Sequence, residues 1–410
     1  MLLRFRATNF ASIRDEQELS MIALDDHAEL ATSALPLSKD RALPAAGIFG
    51  SNASGKSNLI KAMDFGRATV IESHQRWLPE DPIPRWPFRL DTESRNAPSE
   101  FVFEFVHDGV RYEYGFSLND TVILEEWLFS WPKGRRLVLF ERTGMEISFG
   151  SSLTGHKAAI AELVRENSLF LSAAAANNQA QLRSVAAWFG RWRQVTTGPP
   201  HRAPYEPVDE QTMSLLRFAD IGVIGTAMRE PPPGVNWPVN RDGKGARRLE
   251  LIHRAQTASG GETLPWTWES SGTQVWFRLS RLAISCLNDG RILAIDDLGS
   301  DLHPLLTAQL VGLFQDRRTN PHGAQLIFTG HDVNLLGRHV EYRMRRDQVW
   351  LTAKDGDGAT KVYPLTEYGR VRDGVDDVEG RYLQGRYGAV PFFDRSLLED
   401  LLQEPVSDGA

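Results

Sequence analysis

Residues 50–57 carry side-chain types that suit phosphate chemistry. They read Gly-Ser-Asn-Ala-Ser-Gly-Lys-Ser, which satisfies G-x-x-x-x-G-K-[ST] at every fixed position. Glycines in such a loop let successive backbone N–H groups face one anion at the positive end of the following helix. Lys56 can then reach the β- and γ-phosphates of a nucleotide, and Ser57 offers a hydroxyl to Mg²⁺. We interpret the segment as a phosphate-binding loop; the alternative is a chance glycine-rich turn.

Paired carboxylates follow the apolar run 292–295. At the end of a strand, one carboxylate can hold Mg²⁺ through water while its neighbour polarises the attacking water molecule. We assign the first role to Asp296 and the second to Asp297. A solvated turn after a core strand is the alternative for this pattern taken alone.

A second anion site is predicted at residues 269–273, Glu-Ser-Ser-Gly-Thr, which precede a helical pattern. Small hydroxyl and glycine residues at a helix N-terminus bind anions, although a simple N-cap has the same composition. Two phosphate sites in one chain suggest that ATP is sandwiched between two subunits. The candidate nucleotide-binding residues are Gly50, Ser51, Asn52, Ala53, Ser54, Gly55, Lys56, Ser57, Asn58, Ser270, Ser271, Gly272 and Thr273.

His331 follows another apolar strand pattern, within Phe-Thr-Gly-His-Asp at 328–332. A histidine at this place can hydrogen-bond a γ-phosphate or the lytic water, whereas a lone histidine is otherwise a structural residue. We take Asp297 and His331 as candidate catalytic residues, and Ser57 and Asp296 as candidate metal ligands.

Alternating strands and helices must position these residues. The apolar run 45–49 predicts a buried strand before the loop, and the spacing from Gly55 to about Val70 predicts a helix after it. The later patterns predict strands at 246–255 and 263–269, a helix at about 273–287, a strand at 291–295, a helix from Pro304, a strand at 324–329 and a β pair at 348–364.

The N-terminal part predicts antiparallel β structure. Alternation of apolar and polar residues in 1–24 indicates two β segments, and 99–142 contains several strand-like runs. Asp108-Gly109 separates two of those runs and is a strong hairpin signal.

The middle of the chain has a different composition. Residues 155–195 are helical in pattern and rich in alanine, and proline-rich stretches at 198–207 and 231–238 flank a short helical pattern at 209–219. We therefore interpret 151–245 as a largely helical insertion or arm. Sustained heptads are absent from its sequence, so we do not expect a long coiled coil.

The order of the motifs resembles the ABC-type ATPase heads of the SMC-like and overcoming-lysogenisation-defect groups. It is similar, more narrowly, to the bacterial AAA-type ATPases linked to abortive phage infection. The segments that carry the resemblance are 8–10, 50–57 (Walker A), 269–273 (signature), 295–304 (Walker B and D-loop), 328–332 (switch histidine) and 382–391.

The resemblance implies an α/β fold: an ABC-ATPase-like P-loop NTPase head with a mixed sheet, flanking helices and an N-terminal antiparallel β subdomain, carrying the inserted arm. It implies ATP and Mg²⁺ as cofactors, a homodimer or higher homo-oligomer formed through shared ATP sites, and a separate nuclease or toxin-like effector. The implied divisions are 1–150 and 246–391 for the two halves of the head, 151–245 for the insertion and 392–410 for a C-terminal tail.

The sequence departs from that family pattern in three places. Asp297 stands where the family carries Glu; one methylene less moves the carboxylate back by roughly 1.5 Å, and a misplacement of that order can cost ~10²-fold in rate. We therefore expect slow ATP hydrolysis. A Q-loop glutamine cannot be identified, and Ser271 stands where transporters have Gly.

Composition excludes several classes of protein. The 410 residues, 41% of them apolar, suffice for two domains or for one domain with an insertion. Because 46 Lys and Arg face 53 Asp and Glu, the net charge of −7 argues against a general polyanion binder. Cys286 is the sole cysteine, which excludes a disulfide framework. Neither a signal peptide nor a membrane span is predicted, so we expect a cytoplasmic protein without a membrane partner.

A local basic stretch suggests contact with nucleic acid. Residues 181–260 hold 11 Lys and Arg against 7 Asp and Glu. A solvated charged surface is the alternative. The basic residues clustered at 241–254 are Arg241, Lys244, Arg247, Arg248 and Arg254.

Other functions stay open beside an ATP-dependent dimerising switch in phage defence. A defence nuclease would need a Toprim-like domain after the ATPase, and about 45 residues follow the last predicted strand, so we expect any nuclease on another chain. A DNA-repair head predicts long heptad arms, which the sequence lacks. A transporter subunit is disfavoured by the N-terminal sheet and by the missing Q-loop glutamine.

Overall fold

A computed structural model of the chain describes residues 1–25, 29–199, 204, 207–230, 247–256, 260–369 and 375–391. Its strands are β1 (Leu2–Thr8), β2 (Gln17–Ser20), β3 (Ser33–Ala34), β4 (Arg41–Ala42), β5 (Ala45–Gly50), β6 (Ser99–His107), β7 (Val110–Leu118), β8 (Ile123–Trp131), β9 (Leu137–Thr143), β10 (Glu146–Phe149), β11 (Trp192–Thr196), β12 (Val223–Arg229), β13 (Arg248–His253), β14 (Glu262–Leu264), β15 (Ile292–Leu298), β16 (Gln325–Gly330), β17 (Val349–Lys354) and β18 (Thr360–Pro364). Its α-helices are α1 (Lys56–Arg76), α2 (Thr92–Asn96), α3 (Lys157–Ala161), α4 (Phe170–Ala176), α5 (Ala180–Gly190), α6 (Glu210–Phe218), α7 (Ser271–Asp289), α8 (Pro304–Gln315) and α9 (Val378–Leu383).

A twisted antiparallel sheet in the order β10-β9-β8-β7-β6-β1-β2 is formed by the N-terminal part of the chain. Its central hairpin turns at Asp108 and Gly109, which both have positive φ, as the predicted two-residue turn requires. The inner face is aromatic: Phe105 stacks on Trp188 of α5 with ring centroids 4.0 Å apart. The expected antiparallel region is therefore present.

A mostly parallel sheet in the order β11-β15-β16-β5-β17-β18 forms the second layer, with only β18 antiparallel to its neighbour. Alternate residues of β5 enter different cores. Ala46 and Ile48 pack with α1 residues on one face, whereas Ala45 and Phe49 pack with α7 and α8 residues on the other. Because both faces are covered, these strands are continuous apolar runs, which is the pattern from which they were predicted.

The fold is thus mixed α/β with several sheets, as expected. Helices α1, α4 and α5 share a core with the antiparallel sheet and with one face of the parallel sheet. A small antiparallel sheet, β12-β13-β14, lies beside α6 and α7. Among the helices that the structure describes, none has both the length and the apolar character that crossing a membrane requires.

The middle of the chain corrects the helical interpretation of residues 155–195. Helices α3 to α5 are present, but Trp192–Thr196 form strand β11 in parallel register with Ile292–Asp296 of β15. This pairing overrides the local pattern, because β11 completes the edge of the sheet beside a strand about a hundred residues away. The segment 151–245 therefore contributes a strand to the parallel sheet at these residues.

A second correction concerns residues 263–269, which were expected to be a strand. Strand β14 ends at Leu264 because Pro265 follows it, and a 3₁₀ turn over Trp266–Trp268 leads into α7. The sequence interpretation also missed β12, which follows Gly222, contains Gly225 and forms by pairing with β13. The tail at 392–410 and most of the proline-rich residues lie outside the described part of the chain.

Candidate nucleotide-binding site

Three neighbouring parallel strands bring the predicted residues to one edge of the sheet. Strand β16 lies between β15 and β5, and the ends of the three strands are in register, with Gly330 opposite both Leu298 and Phe49. The loop 51–55 follows β5, Asp296 and Asp297 lie near the end of β15, and His331 follows β16. Chain segments that are far apart in sequence therefore meet where parallel strands end.

The two glycines of the loop sit where no side chain fits. Gly55 has φ 106°, and a Cβ at this position would overlap the Thr360 hydroxyl. A Cβ at Gly50 would overlap the hydroxyl of Thr352 in the same way. Both positions therefore require glycine, because the space that a side chain would fill is occupied by Thr352 of β17 and Thr360 of β18.

A chain of hydroxyl groups fixes the loop to β17, to β18 and to the turn between β1 and β2. The Ser54 and Thr352 hydroxyls lie 2.6 Å apart, and Thr360 Oγ1 donates to the Ser54 carbonyl at 2.9 Å. Because Thr360 uses its hydrogen there, Ser12 donates to Thr360 at 2.7 Å and accepts from Asn58 Nδ2 at 2.7 Å. Ser12, Thr352 and Thr360 were not among the predicted site residues.

Lys56 lies at the start of α1 and points back into the loop. Its ammonium donates to the carbonyls of Gly50 at 2.8 Å and Ser51 at 2.9 Å, and only 6% of the residue is exposed. Burial lowers the pKa of Lys56 to about 8, and the nearby carboxylates of Asp297 and Asp296 oppose that shift. The third N–H of the ammonium is available to a ligand.

The two carboxylates at the end of β15 have different environments. Asp296 is 8% exposed and accepts a hydrogen bond from Thr329 Oγ1 at 2.7 Å. The same hydroxyl accepts from the backbone N–H of Asp297 at 2.8 Å. Asp297 has a φ of 65°, and its side chain is partly exposed. Thr329 thus fixes both acids, although the sequence analysis did not identify it.

His331 faces the second of these acids. Its Nε2 lies 4.0 Å from Asp297 Oδ1, so the two groups are close without a direct hydrogen bond. Burial and the positive charge of Lys56 lower the pKa of His331 below its usual value, against the opposing effect of Asp297 and Asp296. The imidazole is therefore largely uncharged at neutral pH and offers one donor and one acceptor nitrogen.

The predicted second anion site lies at the N-terminus of α7. Ser270 is the N-cap of α7; its hydroxyl accepts from the Thr273 N–H at 3.1 Å and lies 2.9 Å from the Thr273 hydroxyl. Gly272 approaches the Asp301 carbonyl so closely that a Cβ would lie 3.0 Å from it. Among the described residues, the hydrogen bonds of Ser270–Thr273 do not reach the loop 51–55. Ser270 and Ser271 are exposed to solvent.

The basic stretch at 241–254 is only partly described. Arg241 and Lys244 lie outside the described residues. Arg247 forms an ion pair with Glu230 at 2.7 Å, whereas Arg254 is exposed. On the same small sheet Arg229 pairs with Glu250 at 2.9 Å. Carboxylates thus neutralise part of this surface, which weakens the electrostatic argument for nucleic acid.

A phosphate-binding loop between a buried parallel strand and a helix, with acids ending the neighbouring strands, defines the class of P-loop ATPase domains. The family model described as "AAA domain, putative AbiEii toxin, Type IV TA system" matches residues 45–337, more than two thirds of the chain. The chain therefore belongs to this family, which relates it to abortive-infection proteins. No curated protein matches the sequence.

Proposed function

We propose that this protein is a switch ATPase that binds and slowly hydrolyses ATP and dimerises through shared ATP sites. Within a bacterial anti-phage defence system it would act as the sensor or regulatory subunit of a separate nuclease or toxin-like effector. The observation that carries the proposal is the convergence of the loop 51–55, Asp296, Asp297 and His331 at one sheet edge.

The residues present fit ATP with Mg²⁺. Gly50 and Gly55 let the loop pack closely on Thr352 and Thr360, and backbone amides of such a loop at the start of a helix suit phosphate oxygens. Ser57 and Asp296 would hold Mg²⁺, which prefers oxygen ligands and usually combines one or two protein oxygens with phosphates and water. When bound, the ion neutralises charge on the phosphates.

Hydrolysis would depend on Asp297 and His331. The Asp297 carboxylate is partly exposed beside the imidazole, which suits a group that orients and polarises a water molecule. An uncharged His331 can donate a hydrogen bond to a phosphate oxygen or accept one from that water. The short side chain of Asp297 limits its reach, and this supports slow turnover.

The shared site would use Ser270–Thr273 from a second copy. Helix α7 has no acidic residue in its first turn, so its positive end is not neutralised from within the helix. The exposed Ser270 and Ser271 hydroxyls lie at this end. Gly272 approaches the Asp301 carbonyl, and the described hydrogen bonds of Ser270–Thr273 do not reach the loop of their own chain. We therefore assign to these residues the γ-phosphate of an ATP molecule bound in the loop of another copy.

The defence role rests on the family. Its description names an AbiEii-type toxin of a type IV toxin–antitoxin system, and a two-component system of this kind supports a partner chain for the present protein. We therefore assign the effector to a separate chain.

Two variants test the two halves of the proposal. Lys56→Ala removes the buried ammonium and should abolish nucleotide binding measured by calorimetry, whereas Lys61→Ala, an exposed lysine on the same helix, should bind normally. Gly272→Asp places a negative charge at the α7 N-terminus; it should keep nucleotide binding by the single chain but lose ATP-induced dimers in analytical ultracentrifugation. Normal binding by Lys56→Ala would refute the loop assignment, and normal dimerisation by Gly272→Asp would refute the shared site.

A further inference from the structure

The turn before α7 holds two tryptophans in opposite environments. Trp266 is buried, and its ring meets Phe277 edge-on with centroids 5.3 Å apart. Trp268, two residues later, is 74% exposed. Tryptophan is the residue that most often anchors protein interfaces, because it removes a large apolar area from water at little conformational cost.

The backbone around Trp268 is held rigidly. The Trp268 N–H donates to the Pro265 carbonyl at 2.8 Å, and the Glu269 N–H donates to the Trp266 carbonyl at 3.2 Å. Gln274 Nε2 donates to that same carbonyl at 2.8 Å. These bonds fix the backbone from which the Trp268 indole projects, so binding it to a partner would cost little ordering of the backbone.

A contact with β13 also holds this turn in place. Glu269 has a buried side chain, and its carboxylate lies 2.9 Å from Nε2 of His253 on β13. This bond ties the residue between Trp268 and Ser270 to the small sheet. The exposed tryptophan and the exposed serines of the α7 N-terminus consequently move as one unit.

The α7 N-terminus beside Trp268 also contacts the loop that leads into α8. Gly272 lies so close to the Asp301 carbonyl that a Cβ there would be 3.0 Å from it. Leu305, at the start of α8, is 56% exposed. The first turn of α7 contains no acidic residue, and the carboxylate just before it, that of Glu269, pairs with His253.

We propose that Trp268 is an anchor for a second copy of this chain and packs against the tip of its phosphate loop at Ser51, Asn52 and Ala53. The inference rests on the shared ATP site proposed above. The tip is exposed at Asn52 and Ala53 and carries no charged side chain, so an indole can cover it without desolvating a charge. A polyphosphate in that loop is complementary to the N-terminus of α7 beside Trp268, whose first turn contains no acidic residue.

Removal of the indole tests the anchor. Trp268→Ala, made with Asp297→Asn to retain ATP, should weaken ATP-induced dimerisation by about tenfold or more in analytical ultracentrifugation. The matched control is Leu78→Ala: Leu78 is 64% exposed but lies beyond the far end of α1, whose 21 residues span roughly 30 Å from the loop. This control should dimerise like the parent, and both variants should bind nucleotide normally.

Crosslinking tests which surface the turn meets. The only native cysteine, Cys286, is buried and burial raises the pKa of its thiol to about 11, so it does not compete with an introduced exposed thiol. A chain with Thr267→Cys, next to Trp268, is mixed with a chain carrying Asn52→Cys and treated with a short bismaleimide. Covalent heterodimers should form with ATP and Mg²⁺ and not without them, and Leu78→Cys in place of Thr267→Cys should give none.

The outcomes separate this inference from the proposed function. If Gly272→Asp blocks dimerisation while Trp268→Ala dimerises like the parent, the anchor is wrong and the shared site stands. Equal crosslinking at Leu78→Cys and Thr267→Cys overturns the assigned contact as well. If the parent stays monomeric with ATP, also with a non-hydrolysable analogue, both the shared site and the anchor are wrong, whereas nucleotide binding through Lys56 is measured independently.

Discussion

Two buried carboxylates, Glu126 in the antiparallel sheet and Asp296 at the nucleotide-binding edge, have opposite surroundings. The Glu126 oxygens accept from Tyr114 Oη at 2.9 Å and from the backbone N–H groups of Phe170 at 2.6 Å and Leu171 at 2.9 Å. Arg142 Nη1 lies 3.6 Å away, with both side chains fully buried. Burial raises the pKa of Glu126, and Arg142 opposes this shift.

Asp296, by contrast, accepts one side-chain hydrogen bond, from Thr329, in the part of the chain that the structure describes. Lys56 is near enough to feel its charge but donates to loop carbonyls and not to the carboxylate. A carboxylate has about four acceptor positions. Glu126 has its positions occupied by protein donors, and Asp296 keeps most of its positions for a ligand.

The difference separates an acid with a structural role from the acid that we propose as a metal ligand. Helix α4 begins at Phe170 without a side-chain N-cap of its own, and Glu126 from β8 supplies that cap from another element. Glu126 therefore joins the sheet to the helices behind it. Within the described residues, the Asp296 side chain bonds only to Thr329 on the neighbouring strand, which leaves carboxylate positions for a cation.

Replacing each carboxylate by its isosteric amide should affect the free energy of unfolding very differently at the two positions. In Glu126→Gln the new NH₂ group faces only donors and Arg142 loses its partner, so we expect the free energy of unfolding to fall by about 3–5 kcal/mol. Asp296→Asn keeps an oxygen for Thr329 and should change it by less than about 1.5 kcal/mol. Urea unfolding of both variants measures the two values.

The comparison fails if the two losses are similar. Tyr114→Phe provides a control within the Glu126 cluster, because it removes one donor and leaves the ion pair, and should cost about 1–3 kcal/mol. Asp296→Asn, although stable, should lose the Mg²⁺ dependence of ATP binding.

The second acid of the edge, Asp297, should govern rate and not stability. Asp297→Asn should lower ATP turnover by about 10²-fold or more, and the chain should then accumulate as an ATP-bound dimer. Asp297→Glu should preserve or raise turnover, because the longer side chain reaches further toward the water. Phosphate release measures both rates, and Asp64→Asn, which removes a carboxylate paired with Arg67 on α1, is the control.

Fast turnover by the parent chain would contradict the proposed slow switch. If Asp297→Asn hydrolysed ATP at the parent rate, another group would have to position the water molecule. His331, 4.0 Å from Asp297, is then the residue to substitute.

Local signals in the sequence located most of the nucleotide-binding edge. The loop 50–57 lies between a strand and a helix that adjoin it in sequence, and the acids and His331 each end an apolar run. Such features need no information from distant residues. For the same reason the hairpin at Asp108 and Gly109 was predictable from two residues alone.

The hydroxyl groups that hold the phosphate loop in place were not predictable, because they form contacts between segments that are distant in sequence. Ser54 and Thr352 are 298 residues apart, and Ser12 and Thr360 are 348 apart. Single threonines carry no pattern that marks them as partners of a loop. Strand β11 was missed for the same reason, since its conformation depends on pairing with β15. The sequence likewise does not distinguish Glu126 from other polar strand residues, because its role depends on its contacts with the start of α4.

The two regions also differ in how they hold a cation, and the smallest predicted effect follows from that difference. Arg142 is buried against a carboxylate, whereas Lys56 is held by two carbonyls and burial lowers its pKa to about 8. Polyphosphate beside the ammonium favours the charged form, so ATP binding must raise this pKa and take up a proton above about pH 8. Affinity should therefore be constant below about pH 8 and fall above it by up to about tenfold per pH unit.

Calorimetry in two buffers of different ionisation enthalpy measures the proton uptake directly. His331→Gln should leave the profile unchanged, because the pKa of His331 is lowered from 6.5 and its titration lies below this window. A flat affinity from pH 7 to 9.5 would mean either that burial does not lower the pKa of Lys56 into this range or that the phosphates do not stabilise its charge, and the proposed linkage would be wrong.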